Sequence, residues 1–136
     1  MKIRWTENSI RLRISPSELD ALLDNQIVRE SVHLASGGWS TRILPGCAST
    51  DCGLVDGDLL VYLSSVDVHA LAEPTSEGVY FKFDTSVGSE VLVYIEKDFP
   101  CAHPRPSKVP EAAVSETFAP TQSYLSRQGT EASSLT

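Results

Sequence analysis

Three cysteines and a histidine fall at spacings that could hold a metal, as Cys47-x4-Cys52 and Cys101-x-His103. Two such pairs supply four soft or borderline ligands, enough for a tetrahedral zinc site. The first spacing is at the loose limit for zinc pairs, however, and the second is shorter than usual, so separate loop thiols are the plainer reading. Cys101 as a nucleophile would need a lowered thiol pKa, with His103, His33 or His69 close by. Pro100 and Pro104 impose an extended path there, and no strand-turn-helix elbow surrounds the thiol. The sequence therefore supplies no catalytic residue, no cofactor motif and only these weak metal ligands.

A second set carries charge. Lys2, Arg4, Arg11 and Arg13 alternate through "KIRWTENSIRLRI", and near residue 100 Tyr94, Glu96 and Asp98 alternate through "VYIEKD". Arginines on one strand face suit bidentate contacts with phosphate or carboxylate. Beside an acidic row they could instead form cross-strand ion pairs on a solvated sheet face, which is the commoner arrangement. Lys2, Arg4, Arg11, Arg13, Glu96 and Asp98 are the candidate ligand-binding residues.

These side chains must be positioned by elements readable in order. "KIRWT" and "SIRLRIS" form a hairpin about Glu7-Asn8, where Asn8 tolerates positive φ. "SPSELDALLDNQ" is a helix opened by Ser15, Pro16 and a capping box to Glu18, with Leu19, Leu22 and Leu23 as its apolar stripe and Asp24-Asn25 as its end. "IVRESVHL" and "WSTRIL" form a second hairpin. "PGCASTDCGLVDG" reads as a long polar connection. The order then recurs: a strand at "DLLVYLS", a short helix at "SSVDVHALAE" stopped by Pro74, and a hairpin of "VYFKFD" with "EVLVYIEKD".

Ile10–Asp24 overlays Leu59–Glu73 without gaps, placing Ser15 on Ser64 and Leu22 on Leu71. The expected fold is α+β. It has a twisted, mostly antiparallel sheet of about seven strands, built from two β-α-β-β repeats at about 9–45 and 58–98 and able to curl into a partial barrel. The domain spans 1–103. Five of the eight prolines fall between 100 and 120, and 104–136 reads as a disordered tail whose large apolar residues are Phe118, Tyr124 and Leu125.

Charge narrows the function classes. The net charge of −7 argues against a nucleic-acid binder. It divides into +3 over residues 1–14, −10 over 15–100 and zero beyond, so the first hairpin is a basic exception on an acidic protein. No apolar run reaches the ~20 residues that cross a bilayer, and no secretory h-region follows Met1, so a cytoplasmic location is expected. An odd number of cysteines fits reduced thiols.

"MKIRWTENSIRLRISPSEL" and "IEKDFPC" resemble the ends of a family of small bacterial proteins catalogued as a domain of unknown function. That family opens on a Met-Lys-Ile-Arg…Asn-Ser-Ile-Arg-Leu-Arg hairpin and closes on Glu-Lys-Asp-Phe-x-Cys. The resemblance covers roughly 1–103 and implies domain limits and a cytoplasmic, bacterial setting, without an activity or a cofactor. The functional expectation is a non-enzymatic interaction or accessory protein that engages a protein partner through its basic hairpin or an open sheet edge. The alternative is a phosphate-ligand binder or hydrolase with Arg4, Arg11, Arg13 and Glu96 lining a barrel, by analogy with tunnel-type triphosphatases. The Glu-x-Glu-x-Lys strand of those enzymes is missing from "KIRWTE".

Overall fold

The computed structural model describes residues 1–100, 116–121 and 125–126; Cys101, His103 and Tyr124 lie outside them. Strands β1 (Lys2–Thr6) and β2 (Ser9–Ile14) form the expected first hairpin. Alternation sends Leu12 and Ile14 into the core and leaves Arg13 exposed. Side chains close the turn: the Thr6 hydroxyl lies 2.6 Å from Ser9 Oγ and donates to Asn8 Oδ1 at 3.2 Å. Neither Glu7 nor Asn8 takes a positive φ, so the left-handed conformation open to Asn8 is not used.

Helix α1 (Pro16–Leu23) has the expected capping box. Glu18 N–H donates to Ser15 Oγ at 3.2 Å, and Ser15 N–H donates to Glu18 Oε1 at 3.0 Å. Leu19 and Leu22 are buried, while Leu23 stays exposed. Asn25, at φ 59, ends the helix in the left-handed region that Asn tolerates. Strands β3 (Val28–Leu34) and β4 (Gly37–Cys47) follow as the second hairpin.

The supposed polar connection contains a further strand. β5 (Asp51–Val55) pairs antiparallel with β6 (Asp58–Ser64) through a two-residue turn, with Asp56 at φ 52 and Gly57 at φ 83. Asp-Gly is the preferred pair for such a turn. The strand itself was hidden by its charge, its glycine and its want of alternation. Helix α2 (Ser65–Ala72) is capped by Ser64, ends at Glu73 before Pro74, and leads to β7 (Gly78–Asp84) and β8 (Glu90–Lys97).

The expected single, mostly antiparallel sheet of seven strands is replaced by two mixed sheets of four, ordered β1-β2-β8-β7 and β3-β4-β6-β5. Each has a central parallel pair, β2 with β8 and β4 with β6, flanked by antiparallel hairpins. Helix length explains the exchange. Eight residues of helix span about 12 Å, close to the ~10 Å between packed sheets, so each helix can carry the chain from one sheet to the other. The partial barrel is likewise not formed; both sheets end in open edges among the described residues.

The order β-β-α-β-β thus runs twice, over Lys2–Cys47 and Asp51–Lys97. The units expected at about 9–45 and 58–98 each lack the first strand of the observed order, and the second runs one residue past Lys97. Both first hairpins keep one register at an offset of 49 residues: Trp5 faces Ile10, and Leu54 faces Leu59. One core joins the parts, with Leu12, Ile14, Val79 and Ile95 from one sheet and Val28, Ile43, Val61 and Leu63 from the other. Leu19, Leu22, Val68 and Leu71 of the helices complete it. The helices follow the ends of β2 and β6 and pack on each other, so they cap one end of the sheets.

Much of the segment expected to be disordered lies outside the described residues. Within it, 116–121 is seated on the domain. Phe118 N–H donates to Asp98 O at 2.8 Å, the Phe118 ring lies 6.2 Å from that of Phe99, and Ser17 Oγ donates to Glu116 at 2.6 Å.

Candidate functional site

The strand register sets the charged face as rows across the first sheet. One row runs Arg4, Arg11, Tyr94, Tyr80, and the next runs Lys2, Arg13, Glu96, Gly78. Arg4 directly opposite Arg11 is an unfavourable like-charge pair. It is offset by Glu96, whose Oε1 lies 2.7 Å from Arg11 Nε in an ion pair that is not an aligned hydrogen bond. The Arg11 guanidinium carbon lies 5.1 Å from the Tyr94 ring centre, and Tyr80 meets Tyr94 edge-on at 5.4 Å. Lys2 Nζ lies 2.7 Å from Asp98 Oδ2, on a carboxylate that is nearly buried. The acidic side chains Glu96 and Asp98 therefore reach Arg11 and Lys2. Arg4 and Arg13 are exposed and hold no ion pair among the described residues.

Beside this face lies a polar pocket of about 360 Å³ among Met1, Lys2, Arg13, Glu18, Glu30 and Asp98. The Met1 amine sits 2.9 Å from Glu18 Oε2 and 3.1 Å from Glu30 Oε2. Burial disfavours its charge, but hydrogen bonds and charge from the two carboxylates outweigh that and raise its pKa. Of the charged groups lining it, the Met1 amine and Lys2 are paired to Glu18, Glu30 and Asp98, and Arg13 is not.

The cysteine set does not assemble among the described residues. Cys47 is opposite Ser64 and Cys52 opposite Val61, on the two sides of β6, so a whole strand runs between them. Cys47 Sγ donates to Leu44 O at 3.3 Å. Cys52 packs against the core, and burial, aided by Asp51, pushes its thiol up to about 11. Such a thiol is a poor nucleophile and a poor metal ligand near neutral pH. Cys101 and His103 lie outside the described residues.

His33 and His69 are both exposed. His69 Nδ1 lies 2.7 Å from Ser65 O within its own helix. His33 borders a groove with Arg29, Ser40 and Asp58. Asp58 Oδ1 there accepts the Ser40 N–H at 2.8 Å, and this bond, with Arg42 nearby, holds the Asp58 carboxyl below the usual range.

The feature that sequence reasoning missed is at the end of the sheets away from the helices. An apolar cavity of about 560 Å³ opens among Ile3, Trp5, Ile10, Trp39, Leu54, Leu59 and Val91, with Thr6 and Glu7 at its rim. Apart from Ile3, which pairs with core Leu12, these residues stand at the turn-proximal ends of β1, β2, β4, β5, β6 and β8. Two lining pairs hold the same register place in their hairpins: Trp5 faces Ile10 as Leu54 faces Leu59. Trp5 is 70% exposed and Leu54 73% exposed, and the two indole rings are 6.4 Å apart at 51°. Large apolar side chains rarely stand so open in a cluster unless something covers them. The available signal was that Trp5 and Trp39, the chain's only tryptophans, both fall at strand ends beside turns.

This arrangement can hold an apolar group against a contacting pair of indoles, but its lining offers no paired acid and base. A family of unknown function, DUF7009, has a model that matches residues 1–113. No curated protein and no solved structure matches the chain. The two-sheet fold with its tryptophan-lined end is thus that of a member of the DUF7009 family, to which this chain belongs.

Proposed function

We propose that the protein is a non-enzymatic interaction module that receives a partner at the uncapped, tryptophan-lined end of its two sheets. The observation that carries this reading is the 560 Å³ apolar cavity walled by Trp5, Trp39 and Leu54. Covering such a surface releases water from apolar area and fits an aromatic anchor site at the centre of an interface. The shared register of its two lining pairs supports reading the two halves as a duplication, with the cavity where the copies meet. The basic hairpin then serves mainly as a solvated, register-fixing face, since Arg11 and Lys2 are already paired to Glu96 and Asp98.

Affinity capture from the encoding organism's lysate tests this with wild type, Leu54→Lys and Arg11→Ala. Loss of captured protein with Leu54→Lys and retention with Arg11→Ala is expected. The reverse pattern would overturn the assignment of the site. The phosphate-ligand alternative has only Arg4 and Arg13 as cations of that face without an ion pair among the described residues. A thermal-shift screen with nucleotides, polyphosphate and divalent metals separates it: stabilisation lost in Arg11→Ala would favour a ligand site over a docking module.

A further inference from the structure

The chemistry around the cavity mouth extends that reading to the kind of partner. Four turns surround the uncapped end: Glu7-Asn8, Ala35-Ser36, Asp56-Gly57 and the connection from Asp84 to Glu90. None of them contains a lysine or an arginine, while Glu7, Asp56, Asp84 and Glu90 are acidic and exposed. Glu7 lines the cavity itself, and Asp56 and Glu90 are close in the chain to the lining residues Leu59 and Val91. Asp58 is engaged by Ser40 and Arg42, so it is not part of the free set. The basic residues of the first hairpin lie on the outward face of their sheet, whereas the cavity is formed by the inward one.

We infer that the occupant is a cationic polypeptide segment that sets one apolar side chain into the cavity against the Trp5–Trp39 pair and Leu54, with its flanking Lys or Arg residues against Glu7, Asp56 and Glu90. The inference rests on the docking reading above. An apolar wall alone would accept many partners; the acidic rim selects by charge, speeding encounter with cations and repelling acidic segments. It also disfavours an anionic membrane surface as the occupant, although exposed tryptophan alone would suit one. Two indoles beside carboxylates can further hold an Arg guanidinium over a ring face.

The two tryptophans make the test direct, because selectively excited indole fluorescence comes only from this cavity. The probes are three capped peptides: a Leu-Phe pair flanked by Lys and Arg, the same pair flanked by Glu, and the basic peptide with Ser replacing Leu-Phe. The first should shift and protect the indole emission with a dissociation constant below about 1 mM. Its binding should weaken about tenfold in the triple variant Glu7→Gln, Asp56→Asn, Glu90→Gln, and should also weaken with added salt. Glu7 and Asp56 sit in exposed turns and Glu90 at the exposed start of β8, and Asn suits the positive φ at position 56. Circular dichroism of the variant checks that it folds.

Equal binding of the acidic peptide, or of the Ser peptide, would overturn the cationic-anchor inference and leave the docking reading standing. Emission that changes with protein concentration alone would assign the cavity to a second copy and overturn it too. Silence of the indoles toward all three peptides, together with capture unaffected by Leu54→Lys, would overturn both readings.

Discussion

Arg11 reaches Glu96 diagonally: their Nε and Oε1 atoms are 2.7 Å apart, although the strand register sets Arg11 opposite Tyr94 and Arg13 opposite Glu96. The contact relieves the Arg4–Arg11 repulsion in the neighbouring pair of strands. Both side chains keep partial solvent access, which screens the interaction. A double-mutant cycle of Arg11→Ala and Glu96→Ala should give a coupling of about 0.5–1 kcal/mol by denaturant unfolding. A coupling near zero would show the pair to be merely adjacent.

Phe118 packs on Phe99 and bonds to the backbone of Asp98, and Lys97 Nζ lies 5.6 Å from its ring centre. Phe118→Ala should therefore destabilise the domain, by about 1–3 kcal/mol for a partly buried ring. Its melting temperature should fall, as should that of a chain truncated after residue 103. An unchanged melting temperature in both would mean that 116–121 does not contribute to the fold in solution.

The pH dependence of stability should carry a contribution from Asp58. Its folded pKa is lowered, chiefly by the Ser40 N–H. Stability from its charge is therefore fully present above the unfolded carboxylate value of about 3.9 and is lost as pH falls through the lower folded value. Asp58→Asn keeps an acceptor oxygen but removes the charge. The stability gap between wild type and this variant should be constant near neutrality and close below about pH 4. A gap that persists at acid pH would assign the effect to shape instead of charge.

Cys52 offers a chemical check on the core. With its thiol pushed up to about 11, alkylation of the native protein followed by mass spectrometry should label Cys52 slowly at neutral and mildly alkaline pH. In urea it should react at an ordinary thiol rate. The unfolded thiol ionises first as pH rises, so this group lowers stability progressively above about pH 9. Fast native labelling would show that β5 opens readily.

Local features were legible because neighbouring residues specify them. Ser15 and Glu18 fixed the start of α1, Asn25 its end, and period-2 alternation sorted Leu12 from Arg13 and Ile95 from Glu96. The 49-residue offset was also visible, and the register of the two first hairpins extends it to β1 and β5. β5 escaped notice because Asp51, Gly53 and its edge position give it little strand signal; its pairing comes from the Asp56-Gly57 turn and the long apolar β6.

By itself, then, the sequence determined both helices, seven of the eight strands and the alternation that sorts their buried and exposed faces. Tertiary structure alone decided which hairpins share a sheet, that Cys47 and Cys52 stand on opposite sides of β6, and that Trp5 and Trp39 meet. The physical reason is range. Caps, turns and alternation are set within a few residues, whereas the cavity exists only because two short helices send successive hairpins to different sheets and leave the far end uncovered.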